Sequence, residues 1–147
     1  MEVGLPSIFR ISEAASLAMH TMVYLDANRG QTASARKIAG KLSVSEAHLA
    51  KVLQRLTRAG YLKSTRGPKG GFILNADSNE TTLLEIYELI EGPLPNNSCL
   101  FSSETCTGSD CIMGGFLEQM SSQLKDYLSE TTISSYPNLY RRVTNGS

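Results

Sequence analysis

Residues 41–75, "KLSVSEAHLAKVLQRLTRAGYLKSTRGPKGGFILN", carry the pattern that decides the fold. Leu49, Val52, Leu53 and Leu56 recur at i, i+3, i+4 and i+7, the spacing of one apolar stripe on an α-helix. Ala47, Lys51, Gln54 and Arg58 then point the opposite way, free to meet a partner. Ser45 stands where a side-chain oxygen can cap the helix, Val44 and Leu49 match a hydrophobic staple that fixes its entry angle, and Gly60 ends it. Ahead of it, Ser34 can cap a shorter helix through "SARKIAGKL", with Ile38, Ala39 and Leu42 inward, so that "LSVSEAHL" becomes a sharp turn between two helices. Behind it, "YLKSTRGPKGGFILNA" reads as strand, tight loop and strand, with Tyr61 and Leu62 against Phe72, Ile73 and Leu74 and "RGPKGG" as the turn.

A further helix precedes this unit. In "ISEAASLAMHTMVYLDANRG", Ser12 can cap, Ala14, Leu17, Ala18, Met22 and Leu25 recur at helical spacing, and Gly30 can stop the chain. Two short helices in a tight turn followed by a hairpin predict a mainly α protein with a small β-wing, a winged helix-turn-helix whose second helix of the turn enters the DNA major groove. The wing presents Arg66 and Lys69 on a backbone narrow enough to follow a groove.

Charge agrees with a polyanion partner. The formal net charge is zero, but between Arg29 and Lys69 ten basic side chains face the single acid Glu46, while between Asp77 and Glu130 ten acids face Lys125 alone. The basic half coincides with the groove-reading elements, which favours double-stranded DNA over a protein-interaction role for the winged helix. Ser45, Ala47, His48, Lys51, Gln54 and Arg58 on the recognition helix and Arg66 and Lys69 on the wing are the expected DNA-binding residues. His48 reads as a phosphate or base contact rather than a catalytic base, since no Ser/His/Asp arrangement, Walker loop or HExxH motif accompanies it. No enzyme activity is expected.

At 147 residues and 41% apolar, the chain suits one modest domain with or without an appendage. No apolar run approaches the roughly 18 residues of a membrane span, and "MEVGLPSIFR" lacks the features of a secretory signal, so the expectation is a cytoplasmic protein with no membrane contact. All three cysteines, Cys99, Cys106 and Cys111, sit in one polar loop, "CLFSSETCTGSDC". An odd number rules out complete pairing within one chain, and in a reducing compartment clustered thiols serve as metal ligands or redox groups. Thiolates suit an iron–sulfur cluster. Zinc prefers close CxxC pairs and a fourth Cys or His, which the loop lacks; metal-free redox switching, pairing between chains and thiols without a use are the other readings. After the loop, "FLEQMSSQLKDYLSE" places Phe116, Leu117, Met120, Leu124, Tyr127 and Leu128 at helical spacing, an apolar stripe that must meet a second copy or pack back on the domain.

The stretch 41–75, followed by "TLLEIYELIEG" and a cysteine loop, resembles the IscR and NsrR family of bacterial winged-helix transcription regulators, also known as the Rrf-two family. The similarity covers about residues 10–135, and "STRGPKGGF" with "IYELIEG" is its most specific part. It implies a homodimeric repressor-type regulator on a near-palindromic operator. It also implies an intersubunit C-terminal helix and a cluster, 2Fe-2S or 4Fe-4S, on Cys99, Cys106 and Cys111 with redox or metal sensing. Here the gaps between the cysteines hold six and four residues, a one-residue displacement from the even spacing usual in cluster-binding members. The resemblance divides the chain into a DNA-binding domain (10–78), a connecting helix (79–95), the cysteine loop (96–115), a dimerisation helix (116–135) and a tail (136–147). Members that place a His three residues past the third Cys have Gly114 as counterpart here. Others take the fourth ligand from the first helix of the partner subunit. At that place Ser16 replaces the usual acid, and His20, four residues on and on the same face, is the strong donor; Glu13 or an exogenous thiol are the alternatives.

Overall fold

The structure, a computed structural model, describes residues 11–94, 100 and 110–140. Helix α1 (Glu13–Ala27) starts where Ser12 Oγ accepts from the Ala15 amide at 3.0 Å. The sequence suggests a single inward stripe, but α1 is surrounded: Ala15, Leu17, Ala18, Met19, Met22, Val23, Tyr24 and Leu25 are all buried. Thr21, fully buried as well, donates its hydroxyl to the Leu17 carbonyl at 2.7 Å and so carries no unpaired polar group into the core.

Helix α2 (Ala35–Leu42) is capped by Ser34 and buries Ile38 and Ala39. Its reversal into α3 (Glu46–Arg58) needs a left-handed residue, and Ser43 supplies it at φ 56°, the sole non-glycine with positive φ among the described residues. The Val44 amide then reaches back to the Ala39 carbonyl at 3.0 Å, and Ser45 Oγ caps the His48 amide at 3.0 Å. Val44 packs on the core in which Leu49 is fully buried, as the staple requires. At the far end the Gly60 amide bonds Thr57 O and the Tyr61 amide bonds Leu56 O, a paired closure that only a residue comfortable at φ 92° allows.

Strands β1 (Leu62–Thr65) and β2 (Gly71–Leu74) pair antiparallel from Leu62↔Leu74 to Thr65↔Gly71. A third backbone joins them. Ala33, just before α2, exchanges two bonds with Phe72, at 3.0 and 2.8 Å, so the wing is stitched to the helix-turn-helix it serves. After a short 3-10 turn at Ala76–Ser78, helix α4 (Leu83–Glu91) begins with a capping box in which Thr82 and Glu85 satisfy each other's amides. It packs along α1.

Helix α5 (Phe116–Glu130) lies on α4 and stops short of the expected 135. Beyond it the chain turns inward: Thr132 bridges Thr82, Thr131 O accepts from the Leu83 amide at 2.9 Å, and Ile133 is fully buried in the main core. The first residues of the expected tail also belong to the domain. Tyr140 packs on that core and sets its ring edge-on to Tyr24 and His20, with centroids at 5.8 and 6.2 Å.

Candidate DNA interface and cysteine loop

On α3, at about 100° per residue, Ala47, Lys51, Gln54 and Arg58 fall within roughly 60° of one another. All four are exposed, opposite the buried Leu49, Val52, Leu53 and Leu56. Ser45 acts locally as the N-cap, and His48 is exposed on the flank of this face. The wing tip is a turn in which Gly70 N–H meets Gly67 O at 2.8 Å, with Pro68 at the position that favours its fixed φ. Arg66 just before this turn and Lys69 within it are exposed.

The basic residues divide by what they touch. Arg29 is engaged by Asp26 and Asn79, and Arg55 by carbonyls of α4. Arg36, Lys37, Lys41, Lys51, Arg58, Lys63, Arg66 and Lys69 are exposed and, among the described residues, paired with no acid. Three of them, Arg36, Lys37 and Lys41, lie on α2; they are part of the basic run, but no motif in the sequence marks them as site residues. In a helix-turn-helix the first helix crosses the phosphate backbone, and that rule was the available signal.

Of the three cysteines, Cys99 and Cys106 lie outside the described residues. Cys111 is an exposed free thiol whose sulfur accepts from the Met113 amide at 3.4 Å. Its carbonyl accepts from Gly114 at 2.9 Å, in a turn where Gly114 and Gly115 take φ of 54° and 78°. Among the described residues no three His, Cys, Asp or Glu side chains converge. The candidate ligand His20 is exposed on α1; its Nδ1–H donates to the Ser16 carbonyl at 2.8 Å, which leaves Nε2 free as the acceptor in that tautomer. It lines a cavity of about 190 Å³ with Glu13, Ser16, Leu17, Leu42, Val44 and Tyr140, whose phenol burial holds above its ordinary pKa.

The apolar run on α5 resolves into two faces. Leu117 and Leu128 are buried, and Leu124 packs against the Ala15–Tyr87–Leu128 cluster. Phe116 and Tyr127, eleven positions apart and so nearly aligned on the helix, keep 48% and 51% exposure, with Ile112 at 92% just ahead. The Tyr127 hydroxyl is bonded to that of Tyr136.

A helix-turn-helix with a stitched wing and a band of unpaired cations defines a winged-helix DNA-binding protein. The family model for Rrf2, described as an iron-dependent transcriptional regulator, matches residues 11–136, and the chain belongs to that family. It is 29% identical over 131 residues to a protein of Aquifex aeolicus named as a candidate HTH-type transcriptional regulator, across 87% of this chain and 91% of that one. It is 26% identical over 102 residues to the HTH-type transcriptional regulator IscR of Pectobacterium atrosepticum, across 69% of this chain and 62% of that one. The fold is that of CymR, the global cysteine regulator of Bacillus subtilis, with a TM-score of 0.72 at 24% identity over 88% of this chain and 96% of that one. The protein is thus a transcriptional regulator and not an enzyme. Among the described residues no helix is long and apolar enough to cross a membrane.

Proposed function

We propose that the protein is a homodimeric, sequence-specific regulator that binds a near-palindromic operator with an affinity set by an iron–sulfur cluster on Cys99, Cys106 and Cys111. The observation that carries the DNA half is the set of exposed, acid-free cations on α2, α3 and the wing. Lys51 and Arg58 alternate with Ala47 and Gln54 along the reading face, so the cations bind phosphates while the small and amide side chains meet base edges. His48 and Ser45 contact the backbone at the start of α3, Arg66 and Lys69 reach the neighbouring groove, and Arg36, Lys37 and Lys41 sit against the phosphates that α2 crosses.

The donor chemistry of the loop fits a cluster: thiolates are its usual protein ligands and the loop supplies three, and the N–H donated to Cys111 Sγ is the kind of bond that stabilises sulfur carrying negative charge. His20 is the candidate fourth ligand, offered to the loop of the second subunit. Its Nδ1–H bond to Ser16 O is the outer-shell contact that fixes a ligating imidazole's tautomer. When bound, such a cluster supplies a centre sensitive to redox state and iron supply. What the chain's own residues contribute is transmission: a rearranged loop moves α5 and α4, and with them the separation of two recognition helices that must match half-sites about 34 Å apart. The exposed Phe116–Tyr127 face of α5 is the surface for the second copy.

Titration of labelled genomic fragments across salt concentrations tests the DNA half. The log of the binding constant should fall steeply with log salt, and Lys69→Ala should weaken all sequences alike while lowering the slope by about one per contact. Gln54→Ala should instead change preference at one base position, by roughly 1–3 kcal/mol. Association indifferent to salt, or no retained fragment, contradicts the reading.

A further inference from the structure

Arg55 lies in the basic half of the chain and on the recognition helix, yet its guanidinium faces the fold. Its Nη2 donates to the carbonyl of Leu89 at 2.8 Å and that of Ile90 at 3.3 Å. Both belong to the last turn of α4, where a helix leaves carbonyls without amide partners and its dipole favours a cation. A second contact ties down the same end: Ser12, the N-cap of α1, donates its hydroxyl to the Glu91 carboxylate. Gly92 ends α4 at φ 83°, and the chain runs on from there toward Cys99.

The rest of α3 is held by its apolar stripe against α1, α2 and β1. That stripe fixes which face of α3 turns inward, and a directional contact at its edge refines the rotation further. The two-carbonyl grip of Arg55 is directional. Arg55 sits about 70° around α3 from the centre of the Ala47, Lys51, Gln54 and Arg58 face, too far to share its contacts and close enough to turn it.

We propose that Arg55 is a positioning residue and not a phosphate contact: it couples the end of α4, and through it the cysteine loop, to the angle at which the recognition helix meets DNA. This rests on the DNA-binding reading above and needs no particular cluster. Because coupling between sites is reciprocal, DNA binding must also alter the loop.

The test uses the full chain without cluster and with reduced thiols, a labelled genomic fragment retained by the wild-type protein, and the variants Arg55→Met, Arg55→Lys and Lys51→Ala. Arg55→Met should weaken DNA binding by roughly 3- to 10-fold with the salt slope of the wild type, whereas Lys51→Ala lowers the slope. DNA should change the N-ethylmaleimide alkylation rate of Cys99, Cys106 and Cys111 in the wild type and in Lys51→Ala, but not in Arg55→Met. Arg55→Lys keeps the charge on a shorter side chain, which draws the donor back from the Leu89 and Ile90 carbonyls, so it should depart from the wild type in the same direction as Arg55→Met even if the methionine variant folds poorly. A reduced salt slope in either Arg55 variant makes the residue a phosphate contact and overturns the proposal. So does an alkylation rate that DNA leaves unchanged in the wild type, or changes equally in the Arg55 variants. Loss of DNA binding by the wild type itself strikes the underlying reading instead.

Discussion

Replacement of Gly71 by alanine is expected to lower stability by about 3 kcal/mol, to lower the thermal midpoint by about 10 °C, and to abolish measurable DNA binding. A Cβ at this position would stand 2.4 Å from Ala33 O, 2.6 Å from Ala33 C and 2.9 Å from Ser34 N. Every one of these atoms is backbone, so no rotamer change relieves the contact. Moving β2 away breaks both Ala33–Phe72 hydrogen bonds and releases the wing from the helix-turn-helix. The residue's φ of 153° adds strain for any L side chain. Gly67, at φ 107° but with open space where a Cβ would lie, is the control: Gly67→Ala should cost about 1 kcal/mol. Thermal unfolding of the two variants side by side checks the contrast, and equal midpoints would show that the stitch to Ala33 carries little.

The second large effect is expected at the outer face of α5. The double variant Phe116→Asp and Tyr127→Asp should sediment as a monomer and bind operator DNA at least roughly a hundredfold more weakly, because each half-site alone forfeits the avidity of the pair. Both side chains are about half exposed in the single chain, and within it the Tyr127 hydroxyl is bonded to that of Tyr136, so their replacement falls mainly on the surface proposed for the second copy. Leu124, by sequence an equally attractive target, packs against Ala15, Tyr87 and Leu128. Leu124→Asp would therefore damage the protomer's own packing and confuse the two outcomes. A double variant that still sediments as a dimer would move the interface to another surface.

The residues that sequence reading located well are those whose signals are local. Ser12, Ser34 and Ser45 each cap the helix they precede, the Leu49–Leu56 stripe is buried as spaced, and the hairpin pairs Leu62 with Leu74 around its glycine-rich turn. These features depend on neighbours within a turn or two, and composition records them. The Ala33–Phe72 and Thr82–Thr132 bridges, the burial of Ile133 and the grip of Arg55 on α4 are long-range meetings of single residues, and no periodicity announces them. The α5 run shows the same limit differently. Six apolar residues at helical spacing satisfy both readings of the stripe, and Leu117 and Leu128 proved to belong to one face while Phe116 and Tyr127 belong to the other. In the candidate site, the exposed face of α3 and the wing cations were legible from charge and spacing. Arg36, Lys37 and Lys41 were present in the same basic run but lacked a motif to single them out.

Anaerobic purification tests directly whether the three cysteines hold a cluster that sets DNA affinity. Absorption, iron and acid-labile sulfide should be measured on the wild type and on Cys106→Ser, with DNA titrations of each before and after removal of iron. The expected result is a coloured wild-type protein with matched iron and sulfide, a colourless Cys106→Ser variant, and at least a roughly fivefold change in DNA affinity when the wild type loses its iron, within the usual range of coupling between sites. Wild-type protein that is colourless when isolated without oxygen, binding DNA with the same affinity as Cys106→Ser, would mean that no cluster on these cysteines sets DNA affinity.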